Sequence, residues 1–225
     1  MLKAKITKEE INLLPVVIFN GKITLVDELA KVDQAIKELR ESTIVGLDTE
    51  TKPSFTRGTH HKVSLLQIST LDHCFLFRLN RIDFPPALAD FLADSSIQKI
   101  GLSLNDDLTA LKKRHMFKPE GFVDIQAIAK NYGIMDLSLQ KIYAILFDLK
   151  ISKSQRLTNW ESPELSEPQL RYAATDAWAS LQIFLKLNTL KKLSKKAVEN
   201  LVLESLREQQ AQSLKNRPET PTKTE

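Results

Sequence analysis

Two apolar segments, Val63 to Ser69 and Cys74 to Leu79, are separated by a link just long enough for a turn at Leu71-Asp72. Parallel strands need a crossover of a dozen residues or more, so such a link predicts antiparallel pairing. Thr43 to Asp48 reads as a strand before them, ending in a polar loop from Thr51 to Lys62, and the three form a meander. Ile97 to Leu102 then reads as a strand, Asp107 to Arg114 as a helix and Phe122 to Ile125 as a fifth short strand. A meander followed by helix–strand alternation predicts an α/β fold. Its sheet is mixed and five-stranded, antiparallel in one half and parallel in the other, with helices flanking it.

The remaining segments fill in around this sheet. Val16 to Leu25 is rich in β-formers and holds an Asn20-Gly21 turn signal. Helical spacing of Leu29, Val32, Ala35, Ile36 and Leu39 predicts a helix from Val26 to Leu39. Further helices are expected over Ala87 to Ala93, after Pro85-Pro86, and over Ile125 to Tyr132, stopped by Gly133. Another spans Leu139 to Phe147. Ser166-Glu167-Pro168-Gln169 has a capping-box pattern with proline in the first turn. It opens a helix whose stripe Ala173, Ala177, Leu181, Phe184 and Leu185 continues toward Leu190. A last amphipathic helix is expected from about Leu193 to Gln210, and the Pro-containing tail Gln212 to Glu225 has a disordered composition. The expected division is a folded domain over residues 1–192, its core starting at about 16, and a C-terminal helix and tail over 193–225.

Composition removes several classes. A chain of 225 residues buries enough surface to fold without staples. The single cysteine, Cys74, excludes a disulfide framework within the chain and a Cys-rich zinc site, and its apolar neighbours predict a buried thiol. The residues after Met1 lack the apolar core of an export signal, and no apolar run reaches the roughly 20 residues of a membrane helix. A cytoplasmic protein without a membrane partner is the expectation. A net charge of +4 permits a polyanionic partner without requiring one.

Asp48 and Glu50 end the first core strand two residues apart, which turns both side chains to one face. Adjacent carboxylates there repel each other and lose solvation unless a cation or donors offset them. Mg²⁺ or Mn²⁺ would do so. Asp-x-Glu alone carries little weight, because 28 acidic residues give about one such pair by chance. Tyr172 and Asp176 are four apart on the capped helix and stack on one face. With three tyrosines, chance gives about 0.2 such pairs. The alternative reading is a core tyrosine beside a solvated aspartate. Between these motifs, Asp106-Asp107 follows a strand at the start of a helix. Capping explains one of the two aspartates and explains the second less well.

Taken in order, these motifs resemble the DEDD 3′–5′ exonucleases of ribonuclease H-like fold. The likeness is to the tyrosine-bearing branch of ribonuclease D and the Werner-type exonuclease domain. Gly46-Leu47-Asp48-Thr49-Glu50-Thr51-Lys52-Pro53-Ser54-Phe55 is similar to the family's first motif, and Val63 to Ser69 to its second strand. Lys153 to Trp160, with Leu165, Gln169 and Tyr172-Ala173-Ala174-Thr175-Asp176-Ala177, is similar to its third motif and the segment before it. The likeness covers residues 16 to 190.

The resemblance implies a metal-dependent 3′–5′ exonuclease that hydrolyses phosphodiester bonds of DNA or RNA by a two-metal-ion mechanism. Nucleoside 5′-monophosphates leave from single-stranded 3′ ends. Asp48, Glu50, Asp107 and Asp176 become ligands of two divalent cations, Mg²⁺ or Mn²⁺, and Tyr172 the residue that positions water. Asp48 bridges both ions, Glu50 and Asp176 complete the nucleophile side, and Asp107 serves the leaving-group side. Aligning Gly101 with the glycine of Werner-type sequences favours Asp107 over Asp106.

Substrate contacts are expected from Thr49, from Phe55 and Arg57 in the loop after the first motif, and from Lys153 toward a phosphate. His60 and His61 are not assigned a metal, and Trp160 and Trp178 read as packing residues. The cations of Lys112-Lys113-Arg114 and of Lys191, Lys192, Lys195 and Lys196 read as a helix end and a solvated helix face. Two other readings keep the same fold: a catalytically silent nucleic-acid-binding module, and a phosphodiesterase for short oligonucleotides.

Overall fold

The structure is a computed structural model that describes residues 2–56, 58 and 61–215, with side chains to 207. The chain opens with α1 (Lys8–Leu13), β1 (Val16–Val17) and β2 (Lys22–Val26), then a 3₁₀ turn and α2 (Val32–Leu39). The meander follows as β3 (Ile44–Thr51), β4 (Val63–Ser69) and β5 (His73–Phe77). Next come α3 (Leu79–Ile82), α4 (Pro86–Ala93), β6 (Gln98–Gly101), α5 (Leu104–Lys112), β7 (Phe122–Asp124) and α6 (Ile125–Ala129). The chain continues through α7 (Leu139–Phe147), β8 (Lys150–Ile151), α8 (Glu167–Asn188) and α9 (Lys195–Lys215).

The main sheet has the order β2-β5-β4-β3-β6-β7. β3, β4 and β5 pair antiparallel, as their short link requires, while β6 lies parallel to β3 and β7 parallel to β6. The sheet has six strands where five were expected. The sixth is β2, which adds to the free edge of β5 in parallel, from Lys22 opposite His73 to Val26 opposite Phe77. The Asn20-Gly21 signal does not make a hairpin. A tight Asn-Gly hairpin needs positive φ at both central residues, and Gly21 is not among the positive-φ residues. Its lack of a side chain serves a close approach: a Cβ there would lie 2.2 Å from the Asp72 carbonyl, to which Lys22 N–H donates at 2.8 Å. β1 instead pairs in parallel with β8, Val16 opposite Lys150.

Local chemistry accounts for several element ends. Thr7 and Glu10 form a capping box that starts α1, and Ser166 and Gln169 do the same for α8. Gly133, at φ 84°, ends the 3₁₀ turn after α6. The helix expected from Val26 begins only at Val32, because Val26 is still held in the β2–β5 ladder. α9 extends past Gln210, since no Gly or Pro interrupts the chain before Pro218. Of the tail expected to be disordered, residues 212–215 are therefore helical, and 216–225 lie outside the described residues.

One face of the sheet packs on α2 and α4 through Val45, Leu47, Leu66, Ile68, Phe75 and Phe77. The other meets α8, where Leu65, Cys74 and Leu76 face Ala173, Ala174 and Trp160. The Cys74 thiol is buried there and pushed up to about 12 by desolvation. Small residues set how near α8 comes. A Cβ on Gly46 of β3 would stand 1.9 Å from the Ala177 carbonyl, so only glycine lets the helix lie directly on the strand.

Candidate active site

The close crossing of α8 over β3 brings Asp176 to the end of the strand that carries Asp48 and Glu50. Asp48, Glu50 and Asp176 each offer a carboxylate oxygen, and these oxygens lie within 4.8 Å of one another. Asp48 and Glu50 are half-buried and Asp176 is buried, with its Oδ1 lacking a hydrogen-bond partner among the described residues. A buried, unpartnered carboxylate oxygen between two other carboxylates is an unsolved charge problem, which a hard cation bound by oxygen ligands would solve. The donor set therefore fits a divalent metal.

Electrostatics says the same. Burial first, then the charges of Asp176, Glu50 and Asp107, push the Asp48 carboxyl well above its ordinary value. Glu50 is pushed up to about 9 by burial and by Asp176 and Asp107, with Arg156 opposing. Asp176 is raised to about 7 by burial, with Tyr172 and Lys153 opposing. The same burial and negative charge push the Tyr172 phenol up from 10.0, so it stays protonated at neutral pH. Trp160, buried as expected, packs on Tyr172 with ring centroids 6.0 Å apart. Trp178 also packs, its indole N–H donating to the Leu71 carbonyl at 3.0 Å.

Asp107 arrives by a different route. Asp124, at the end of β7, accepts N–H bonds from Ser103 (3.1 Å), Leu104 (3.0 Å) and Gln126 (2.8 Å). This carboxylate, not Asp106 or Asp107, anchors the start of α5, and Ser103 adopts φ 60° to make the turn. α5 begins at Leu104, three residues earlier than its apolar pattern predicts, because Asp124 supplies that anchor. Asp106 is exposed, whereas half-buried Asp107 accepts a 2.5 Å hydrogen bond from the Thr49 hydroxyl. Burial raises the Asp107 carboxyl and the Thr49 bond opposes the rise. Asp107 stands outside the three-carboxylate cluster, yet its charge acts on both Asp48 and Glu50.

The other expected contacts divide. Lys153 is exposed and lines a cavity of about 490 Å³ with Asp48, Tyr172, Asp176 and Arg156. Thr49 is committed to Asp107 and does not line that cavity. Phe55 is 85% exposed on the loop after β3. Arg57 and His60 lie outside the described residues. Sequence reasoning missed Arg156, three residues after Lys153 in the same turn, and the far wall of the cavity formed by Leu102, Gln126, Ser138, Leu139 and Gln140. It also missed Gln67, which is opposite Asp48 in the β3–β4 ladder and fully buried. Neither polar atom of its side chain has a partner among the described residues.

Comparison with known proteins decides the family: the 3′–5′ exonuclease model matches residues 23–192. The chain belongs to the 3′–5′ exonuclease family, a family of hydrolases that act on nucleic acids. It is 32% identical over 177 residues to the bifunctional 3′–5′ exonuclease/ATP-dependent helicase WRN of Mus musculus. That alignment covers 74% of this chain and 13% of the mouse protein, so the chain spans a small part of that relative's length. A 3′–5′ exonuclease of Arabidopsis thaliana is 32% identical over 195 residues, covering 78% of this chain and 67% of its own. The structure of Trypanosoma brucei ribonuclease D in complex with RNA U12 superposes with a TM-score of 0.68 at 22% identity. It covers 83% of this chain and 70% of that one, a likeness of fold. No helix among the described residues is long and apolar enough to cross a membrane.

Proposed function

We propose that this chain hydrolyses the terminal phosphodiester bond at single-stranded 3′ ends of DNA or RNA and releases nucleoside 5′-monophosphates. The observation that carries the reading is the convergence of Asp48, Glu50 and Asp176 within 4.8 Å beside a phenol held protonated. Asp48, Glu50 and Asp176 would hold one Mg²⁺ or Mn²⁺, and Asp107 with Asp48 a second. When bound, such cations supply charge neutralisation at the phosphoryl oxygens and a lowered pKa for water.

The residues of the chain do the rest. In hydrolysis the oxygen of water bonds to phosphorus as the bond to the 3′ oxygen of the preceding sugar breaks, and that oxygen takes up a proton. Tyr172, protonated and fixed by Trp160, orients the attacking water through its hydroxyl and does not deprotonate it. Lys153 and Arg156, on the cavity rim, pair with the phosphate. Leu102 and Leu139 give the terminal nucleoside an apolar wall, and Gln126 and Gln140 give it hydrogen-bonding groups. Phe55 offers an exposed ring on which a base further along the strand can stack.

The test is digestion of 5′-labelled single-stranded DNA and RNA with Mg²⁺, Mn²⁺ or EDTA. A ladder shortening from the 3′ end, absent in EDTA and in Asp48→Ala, is the expected result. Binding without metal-dependent cleavage on every substrate would overturn the reading.

A further inference from the structure

A second cavity, of about 440 Å³, adjoins the catalytic one and is walled by α1, the first turn of α7 and β8. Lys8, Lys141, Lys150 and Lys153 line it, and no carboxylate of the described residues does. Ser138, Gln140 and Lys153 line both cavities, so the two are neighbours with a shared wall. Among the four lysines only Lys141 has a carboxylate partner in the described residues, Asp136 at 2.8 Å. Lys150 Nζ donates to the Asn12 carbonyl at 2.6 Å, which fixes its position without neutralising it. The Lys8 and Lys153 ammonium groups make no hydrogen bond or ion pair among the described residues, although the Lys153 charge acts on Asp176 in the adjoining site. Cations gathered around a concave space raise its potential and draw anions to it.

The backbone adds to this field. Ser138 leaves the start of α7 without a side-chain cap, and no acidic residue occupies its first turn. Ser138, Gln140 and Lys141 of that turn line the cavity, so the positive end of the helix lies beside it. α1 is held in place by Met135 N–H donating to the Ala4 carbonyl (2.8 Å) and Ile6 N–H donating to Asp136 Oδ2 (2.9 Å). Lys8 is therefore brought to the cavity by a docked element that lies before residue 23, outside the part of the chain that matches the family.

We infer that this cavity binds a phosphate of the nucleic-acid strand other than the scissile one, with Lys8 and Lys150 as its contacts. Its substrate rests on the nuclease reading above. The ligand chemistry is a phosphate ester, for which the two sources are the strand itself, a diester, and free mononucleotide product, a monoester. The strand is the occupant assigned, because the cavity shares Ser138, Gln140 and Lys153 with the cleft that takes the strand end.

The experiment compares the unchanged chain with Lys8→Glu, Lys8→Ala and Lys191→Glu, the last an equal charge change on an exposed residue outside the cavity. Lys8 is exposed in the first turn of α1, where an acidic residue favours the helix, so Lys8→Glu folds. Two substrates are used: a single-stranded 12-mer, and the p-nitrophenyl ester of thymidine 5′-monophosphate, which has only the scissile phosphate. For the 12-mer, Lys8→Glu is expected to raise KM about fivefold and leave kcat within about twofold. Its plot of log(kcat/KM) against log salt should lose about 0.7 of slope, one phosphate contact on a single strand. Lys8→Ala should move KM the same way by less, Lys191→Glu should move neither quantity, and the ester should be cleaved equally by all.

Unmoved KM and slope in Lys8→Glu would overturn the site, as would equal effects of Lys8→Glu and Lys191→Glu. Weaker inhibition by thymidine 5′-monophosphate with unmoved 12-mer kinetics would give the cavity to free product and overturn the strand assignment. If the unchanged chain cleaves neither substrate, the nuclease reading has failed, and the cavity is then tested by anisotropy of a labelled 12-mer in EDTA. Lys8→Glu should weaken that binding about fivefold more than Lys191→Glu, and equal binding would overturn the site.

Discussion

Asp176 and Asp107 act on the same charge cluster from helices of opposite character. α8 is 22 residues long, buries Ala173, Ala174, Thr175, Asp176 and Ala177 in succession, and lies on β3 where Gly46 has no side chain. α5 is nine residues long, buries only Leu104 and Leu111, and is held at its start by Asp124 and Thr49. One carboxylate is therefore placed by packing and the other by hydrogen bonds. Moving the first means repacking a core, whereas moving the second means breaking one or two polar contacts. Stability and activity should fall together at α8 and separate at α5.

Asp48→Asn gives the largest effect, at the strand that both helices address. It should lower cleavage by about 10³-fold or more while leaving the thermal midpoint in EDTA equal or higher, since it removes a carboxyl whose ionisation burial and its acidic neighbours disfavour in the folded state. Gly46→Ala tests the packed side. Its Cβ would stand 1.9 Å from the Ala177 carbonyl, so about 2–3 kcal/mol of stability should go. Cleavage by the folded fraction should drop about a hundredfold, as a displaced helix carries Asp176 with it. Denaturant unfolding and initial rates measure both, and a stable, active Gly46→Ala would break the comparison.

A pH series comes next. Without metal, the folded chain holds Glu50 protonated up to about 9 and Asp176 up to about 7, above their ordinary values of 4.5 and 3.8. Across those intervals the folded state binds protons that the unfolded chain has released, so stability falls as pH rises. The thermal midpoint in EDTA should drop by several degrees between pH 5 and pH 9, and Mg²⁺ or Mn²⁺ should flatten the drop. A midpoint in EDTA that rises over that range would contradict the charge cluster.

On the polar side, Asp124→Ala removes three accepted N–H bonds and should cost about 1–2 kcal/mol with about a tenfold fall in rate. Thr49→Val is the smallest change. It keeps a β-branched strand residue but frees Asp107, so cleavage should fall about three- to fivefold with stability within about 1 kcal/mol. Equal losses of stability in Gly46→Ala and Thr49→Val would erase the distinction between the two helices.

Much of the frame was legible in the sequence because it rests on local chemistry. The Leu71-Asp72 link dictates the β4–β5 pairing, and the Ser166 capping box marks the start of α8. α7 runs over the residues its apolar spacing predicts. α1 was missed although Thr7 and Glu10 carry the same capping signal. What failed was non-local. β1 finds its partner in β8, more than 130 residues away, and β2 joins β5, so an Asn-Gly pair that promises a hairpin serves a close approach instead.

The site shows the same boundary. Strand and helix periods place Asp48 with Glu50, and Tyr172 with Asp176, but only the fold brings the pairs together. The support for Asp107 lies in Asp124, seventeen residues further on, and no spacing rule ties the two. Lys99 marks the limit most plainly. This lysine on β6 is fully buried, donates to the carbonyls of Asp94 and Glu120 and lies over the rings of Phe91 and Phe122. Burial lowers it to about 8.

Asp124 has a mechanical consequence. By accepting from Ser103, Leu104 and Gln126 at once, it rivets the β6–α5 turn to the β7–α6 turn. Gln126 belongs to the cavity wall and donates its side-chain amide to the Leu137 carbonyl, next to the start of α7. Tilting α5, and Asp107 with it, would drag this wall along. The hydrogen-bonded side of the site is thus a single strut with one pin, stiff while the pin holds and loose in every part once it is drawn.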